Sequence, residues 1–298
     1  MLFPDARAAV EHARDQQPVH DPAFDIAAAR RDARTAAAAQ PREDVAEVRD
    51  VDAGGVPCRL YRPGDAAPGV VVHLHGGGFV MNDVEVHDGA ARRLANRTGR
   101  AVLSVDYRLA PEHPFPAAVD DTDTVLAWLA THADAEGLAG PVALHGDSAG
   151  ANLALVGALH HPGRFAALAL VYPFLDPTAS FASHTDDESD FDPETVAWYW
   201  RHYAGPAGEA AYADADLAPL LADPAAIAAL PPTYVATAEH DPLRDEGEHL
   251  ARLAADAGVP VTAVRWLGQV HGFWRHHDVF SAADPLMDQV AAFLRGRL

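Results

Sequence analysis

The pentapeptide Gly146-Asp147-Ser148-Ala149-Gly150 holds what nucleophilic catalysis asks for, a hydroxyl flanked by glycines where an apolar run ends and an alanine- and leucine-rich stretch begins. It fits the G-x-S-x-G arrangement, strand then sharp turn then helix, in which small neighbours let a strained turn lift the serine oxygen clear of a sheet. Ser148 is the candidate nucleophile. Ordinary glycine-bracketed loops also join strands to helices, so the remaining parts of a site must decide. A serine hydroxyl attacks only when a base takes its proton and a carboxylate holds that base in the right tautomer.

In such a setting the acid and the histidine follow the serine in chain order. Asp241 comes after the apolar run 233–238 and directly before Pro242, whose fixed φ suits a first helical turn, while Asp245 and Glu246 fall within the helix beyond. Asp241 is the better-placed acid; its competing role is a helix N-cap. His271, in Leu267-Gly268-Gln269-Val270-His271-Gly272-Phe273, sits just past the last strand-like segment and is the candidate base, with His276 and His277 as competitors among 17 histidines. Acyl transfer also needs N–H donors for a developing oxyanion. His75-Gly76-Gly77-Gly78-Phe79 leaves an early apolar run and corresponds to the H-G-G-G type of oxyanion loop, complemented by the N–H of Ala149. It lacks the lysine of a phosphate-binding P-loop and the G-x-G-x-x-G order.

These residues need a scaffold, and the chain reads as one. Residues 5–17 and 23–39 suggest two helices separated by Pro18 and Pro22, and Val45 to Val51 with Val56 to Tyr61 suggest an antiparallel hairpin in which Pro57 favours an edge. From Val70 the pattern alternates: strands at 70–74, 101–105, 142–145, 166–171, 233–237 and 261–266, with helices at 84–98, 116–132, 149–160, 243–257 and about 283–296. Strand–helix alternation of this kind predicts an α/β fold with a mostly parallel, doubly wound sheet. The alternation breaks between Asp176 and Leu221, where the acidic patch Asp186-Asp187-Glu188-Ser189-Asp190 and the aromatic stretch Trp198-Tyr199-Trp200-Arg201-His202-Tyr203 lie. Those aromatics either wall an apolar pocket or anchor the insertion to the core.

Composition narrows the function class. The chain has 298 residues, 49% of them hydrophobic, and a formal charge of −21 with no lysine, a balance that repels nucleic acid and anionic membrane surfaces. Its single cysteine, Cys58, excludes an internal disulfide. Charge arrives too early in Met1-Leu2-Phe3-Pro4-Asp5-Ala6-Arg7 for a signal peptide, and no apolar run is long enough to span a bilayer, so the expectation is a cytoplasmic protein without stable membrane insertion.

With these motifs together, the chain resembles the hormone-sensitive lipase-like family of α/β-hydrolases, in its bacterial carboxylesterase branch. The resemblance rests on His75 to Phe79, on Asp106-Tyr107-Arg108-Leu109-Ala110-Pro111-Glu112-His113-Pro114-Phe115-Pro116-Ala117-Ala118, on Gly146 to Ala154, on Asp241 to Gly247 and on His271-Gly272-Phe273. It implies an α/β-hydrolase sheet of about eight strands, a triad of Ser148, Asp241 and His271, and an oxyanion hole from the N–H groups of Gly77, Gly78 and Ala149. It further implies a cap built from residues 1–42 and an insertion at about 176–220 on a catalytic domain spanning 43–298, with Asp106 and Glu112 bracing the oxyanion loop. The expected activity is hydrolysis of short- to medium-chain carboxylic esters, with a small ester as substrate, no cofactor or metal, and a homodimer left open. Amide hydrolysis by the same machinery, and a non-catalytic ligand-binding relative of the fold, are the alternatives. A metallo-hydrolase using His73 and His75, which alternate along one strand, has no carboxylate-rich motif beside it in the sequence.

Overall fold

The computed structural model describes residues 1–185, 188, 189 and 191–298, so Asp186, Asp187 and Asp190 of the acidic patch lie outside the described residues. In chain order the elements are α1 (Pro4–Arg14), α2 (Ile26–Ala39), β1 (Glu47–Asp52), β2 (Pro57–Arg62), β3 (Val70–Leu74), α3 (Asp88–Thr98), β4 (Ala101–Val105), α4 (Ala117–His132), β5 (Val142–Asp147), α5 (Ala149–His160) and β6 (Ala167–Val171). Then come α6 (Pro193–Ala204), α7 (Pro224–Ala228), β7 (Thr233–His240), α8 (Arg244–Asp256), β8 (Val261–Val270) and α9 (Ala283–Arg295).

The strands form one eight-stranded sheet in the order β1-β2-β4-β3-β5-β6-β7-β8. Strands β1 and β2 are antiparallel to their neighbours and the rest run parallel. Both faces are covered, which is why β3, β4 and β6 are buried at every position and read as continuous apolar runs. Val70, Val72 and Leu74 of β3 join the core beneath α4, α5 and α8, whereas Val71 joins the core on the opposite face with Leu94 of α3 and Leu286, Met287 and Val290 of α9. Among the described residues no helix is long and apolar enough to cross a membrane.

Three expectations need correction. Pro57 does not mark an edge: β2 lies between β1 and β4, and Pro57 is its first residue, where a missing N–H costs the ladder nothing. The helix expected from 84 starts at Asp88, because Asp83 takes the Val86 N–H and its carbonyl the His87 N–H, which folds this stretch into turns. Strand β8 runs on to Val270, its pairing with β7 shifting between Ala238 and His240.

The sheet's parallel strands bring the chemistry to one end. The glycine loop leaves β3, Ser148 leaves β5, Asp241 leaves β7 and His271 leaves β8, all at carboxyl ends, where open α/β sheets bind ligands. Pairing of Leu74 with Gly146 sets the glycine loop beside the serine turn. Pairing of His240 with Val270 brings the last two loops level.

Candidate active site

Ser148 has φ +53° and ψ −120°, a conformation that L-residues reach only under constraint, at roughly 1–3 kcal/mol. The constraint is visible. Its N–H donates to the Val171 carbonyl at 2.9 Å, and its own carbonyl accepts from Ala151 at 3.0 Å and Asn152 at 3.2 Å. The flanking glycines are required by close approach: a Cβ on Gly146 would lie 2.2 Å from the Gly150 carbonyl oxygen, and one on Gly150 would lie 2.0 Å from that of Leu74. Helix α5 behind the turn is apolar on every side and buried from Ala149 to Ala158, a rigid seat for the serine.

The Ser148 Oγ lies 2.9 Å from His271 Nε2, and His271 Nδ1 lies 2.8 Å from Asp241 Oδ2. Asp241 is fully buried and makes two contacts on different oxygens: Oδ1 accepts the Leu243 N–H at 2.9 Å, which fixes the turn ahead of α8, and Oδ2 faces the imidazole. A Nδ1–H···carboxylate bond leaves Nε2 with the lone pair, the tautomer that can accept a hydroxyl proton. Tyr172 and Phe191 hold the ring from the sides, with centroids 4.5 and 4.7 Å from it. His276, the sequence competitor, is tied into a turn with Phe273 and Phe280, and burial pushes its imidazole down to about 3.

The backbone N–H groups of Gly77, Gly78 and Ala149 donate to no protein acceptor among the described residues. All three residues border or adjoin a cavity of ≈ 200 Å³ lined also by Gly76, Asn82, Asp147, Ser148, Tyr172, Phe191, Tyr199, His271, Gly272 and Arg275. Positive φ at Gly77 (+134°) and Gly78 (+59°) turns that stretch, and the Tyr199 ring lies so close over Gly78 that a Cβ there would come within 2.1 Å of it. The aromatic stretch therefore divides. Trp198, Trp200 and Tyr203 are buried packing groups, and Tyr199 faces the cavity.

The glycine loop is braced by residues the sequence did not single out. Asp147 Oδ1 accepts the Gly76 N–H at 2.9 Å, Asn82 Nδ2 donates to the Gly76 carbonyl at 3.0 Å, and the Tyr107 hydroxyl donates to the His75 carbonyl at 2.6 Å. Asp106 and Glu112 sit farther out. Asp106 accepts the Val84 N–H beyond the loop at 3.4 Å, and Glu112 pairs at 2.8 Å with Arg30 of α2, which in turn donates to the Val80 and Ala110 carbonyls. Asp147 carried a signal all the same, since it stands inside the pentapeptide itself.

Two buried groups of metal-ligating type occur among the described residues: His73 with His87 and Asp147, and Asp176 with His184 and Glu246. The first supplies from distant sequence the carboxylate that His73 lacked, but Asp147 already accepts Gly76, and the Arg275 cation acts on His87. In the second, Asp176 accepts from Thr178 and Ser180 and Glu246 from the Leu175 and Asp176 N–H groups.

Residues 71–275 match a family described as having the alpha/beta hydrolase fold. Esterase LipI of Mycobacterium tuberculosis (strain ATCC 25618 / H37Rv) is 37% identical over 86% of this chain and 84% of its own. Carboxylic ester hydrolase LipN of the same organism is 38% identical over 92% of this chain and 77% of its own. Among solved structures, a hyperthermophilic esterase from the archaeon Pyrobaculum calidifontis superposes with a TM-score of 0.87 at 35% identity, covering 99% of this chain and 98% of that one. With a family match across more than half its length and relatives of this identity over most of it, the chain is an enzyme of the α/β-hydrolase fold family and belongs to its hormone-sensitive lipase-like branch.

Proposed function

We propose that this enzyme hydrolyses short- to medium-chain carboxylic esters through Ser148, His271 and Asp241, by way of an acyl-enzyme. Ser148 Oγ attacks the ester carbonyl while His271 Nε2 takes its proton. The carbonyl oxygen becomes an oxyanion facing the N–H groups of Gly77, Gly78 and Ala149. Collapse expels the alcohol, which receives the proton from His271, and water, activated by the same nitrogen, then releases the acid and frees the serine. Asp241 keeps the imidazole in its tautomer and stabilises the imidazolium.

The observation carrying this reading is the unbroken relay of 2.8 Å and 2.9 Å from Asp241 through His271 to a hydroxyl that borders a cavity beside unengaged N–H donors. The names of the relatives support the ester as substrate. A cavity of ≈ 200 Å³ under Tyr199 and Phe191 supports small acyl groups. We read residues 1–42 and about 176–220 as a cap, since Phe191 and Tyr199 come from the second segment and Arg30 of the first reaches the chain just past the glycine loop.

Ser148→Ala removes the nucleophile without adding volume, so the fold is retained while turnover of p-nitrophenyl acetate and butyrate falls by roughly 10⁴-fold or more. Folded Ser148→Ala protein with turnover near that of the parent would refute the assignment. A p-nitrophenyl series from acetate to palmitate checks the chain-length reading, which predicts the highest kcat/KM at the short end.

A further inference from the structure

Two polar groups on the cavity wall, Arg275 and Tyr172, serve neither the proposed mechanism nor the bracing of the glycine loop. Arg275 lies four residues past His271 and is partly buried on the cavity wall, and among the described residues its guanidinium makes no hydrogen bond and has no carboxylate within ion-pair distance. Other arginines without a carboxylate partner, such as Arg7, Arg31, Arg201 and Arg252, are exposed and solvated. A guanidinium that lines a cavity with all its donors unengaged by protein is free to take an anion that enters the cavity. The second group is Tyr172, fully buried, whose hydroxyl donates to no acceptor among the described residues. Its φ of +36° is unusual for a bulky residue, and its N–H is fixed on the Ala236 carbonyl at 2.7 Å.

Both side chains line the cavity that holds Ser148 and His271. Arg275 is anchored from behind, because its carbonyl accepts from buried Arg93 at 2.8 Å and Arg93 is itself held by Asp284 at 3.0 Å. Two carboxylates act on Arg275 from a distance without forming an ion pair with it, Asp278 and Asp147 of the same wall, whose Oδ1 is engaged by the Gly76 N–H. We propose that Arg275 and Tyr172 form a subsite for a carboxylate carried by the substrate, so that the enzyme prefers esters bearing a second, free carboxylate a short distance from the scissile bond.

The planar guanidinium offers a fork of donors matched to a carboxylate, and the phenol adds a third donor. The ≈ 200 Å³ cavity limits the spacer to a few carbons. The protein as a whole carries a charge of −21, so this is a short-range pairing and not long-range steering. No step of the chemistry changes: the carboxylate anchors the ester and leaves hydrolysis to the serine.

The inference rests on the esterase reading, and the test separates the two. For wild type, kcat/KM is measured on ethyl hydrogen succinate against ethyl levulinate, which replaces the carboxylate with a methyl ketone, and on acetoxyacetate against acetoxyacetone. The first pair places the carboxylate on the acyl side and the second on the alcohol side. We expect one pair to favour the anion by roughly 10- to 100-fold, the range of a hydrogen bond to a charged group. Arg275→Met should bring that ratio to about one, and Arg275→Lys should restore part of it, which a variant damaged only in folding would not do. A wild-type ratio at or below one in both pairs overturns the subsite, as does a ratio unchanged in Arg275→Met. Hydrolysis of the neutral esters with no anionic preference sinks the subsite and leaves the esterase reading standing; hydrolysis of none of the four sinks both.

Discussion

Of the histidine–carboxylate pairs at the carboxyl end of the sheet, His271–Asp241 and His184–Glu246 differ in what meets the second ring nitrogen. His271 is 2.8 Å from Asp241 and turns its other nitrogen to the Ser148 hydroxyl at a cavity wall. His184 Nε2 is 3.2 Å from Glu246, both buried, and its Nδ1 meets no partner. The carboxylates differ too. Glu246 holds the loop after β6 by accepting the N–H groups of Leu175 (2.7 Å) and Asp176 (3.1 Å), whereas Asp241 gives one oxygen to its own turn and the other to the histidine. A carboxylate beside a histidine is thus no mark of catalysis by itself. What sets the His271 pair apart is a hydroxyl and open space on the far nitrogen.

The sharpest way to break the comparison is Asp241→Asn. An amide at 241 can present its NH₂ to His271 and select the wrong tautomer, so kcat should fall by up to about 10⁴-fold while the protein stays folded. Turnover within about tenfold of wild type would shift the acid's role elsewhere, with Glu239 and Asp245 next in line.

Glu246→Gln should behave in the opposite way. Its NH₂ would face a backbone N–H, leaving one donor unmatched, so we expect a loss of about 1–3 kcal/mol in chemical denaturation, with kcat changed by less than about tenfold. A catalytic collapse in folded Glu246→Gln protein would erase the distinction between the pairs.

The smallest effect is in pH. Burial, opposed by His184, pushes the Glu246 carboxyl up to about 7. His184 is raised as well, the hydrogen bond and charge of Glu246 outweighing burial. Both groups hold protons more tightly folded than unfolded, so their contribution is complete below the unfolded pKa values and is lost as pH rises through about 7. Melting temperature should decline from pH 5.5 to 8.5, and less steeply in Glu246→Gln; an equal slope in both proteins would refute the assignment.

Much of the architecture was legible because burial on both faces leaves a plain mark: Val70-Val71-Val72 and Ala167-Leu168-Ala169-Leu170-Val171 can be little else in a chain that alternates with helical stretches. Ser148, Asp241 and His271 stood out because each follows a strand end, and parallel strands bring such ends together. Pro57 misled because a first-residue proline and an edge proline read alike until the strand's neighbours are known. Asn82, Tyr172, Phe191, Tyr199 and Arg275 were not legible as one wall. They come from five separate stretches, and only loop geometry decides which side chain turns inward. The same holds for the alternative roles of residues 198–203, where one ring of four faces the cavity.

The most direct test of the central claim is to treat the enzyme with a p-nitrophenyl alkylphosphonate, whose phosphorus is attacked as an ester carbonyl would be, and to locate the adduct by mass spectrometry of peptides. We expect about one adduct per chain, on Ser148, with inactivation proceeding in step and slowing sharply in Asp241→Asn. No adduct, or a stoichiometric adduct on another residue with activity lost alongside it, would contradict it.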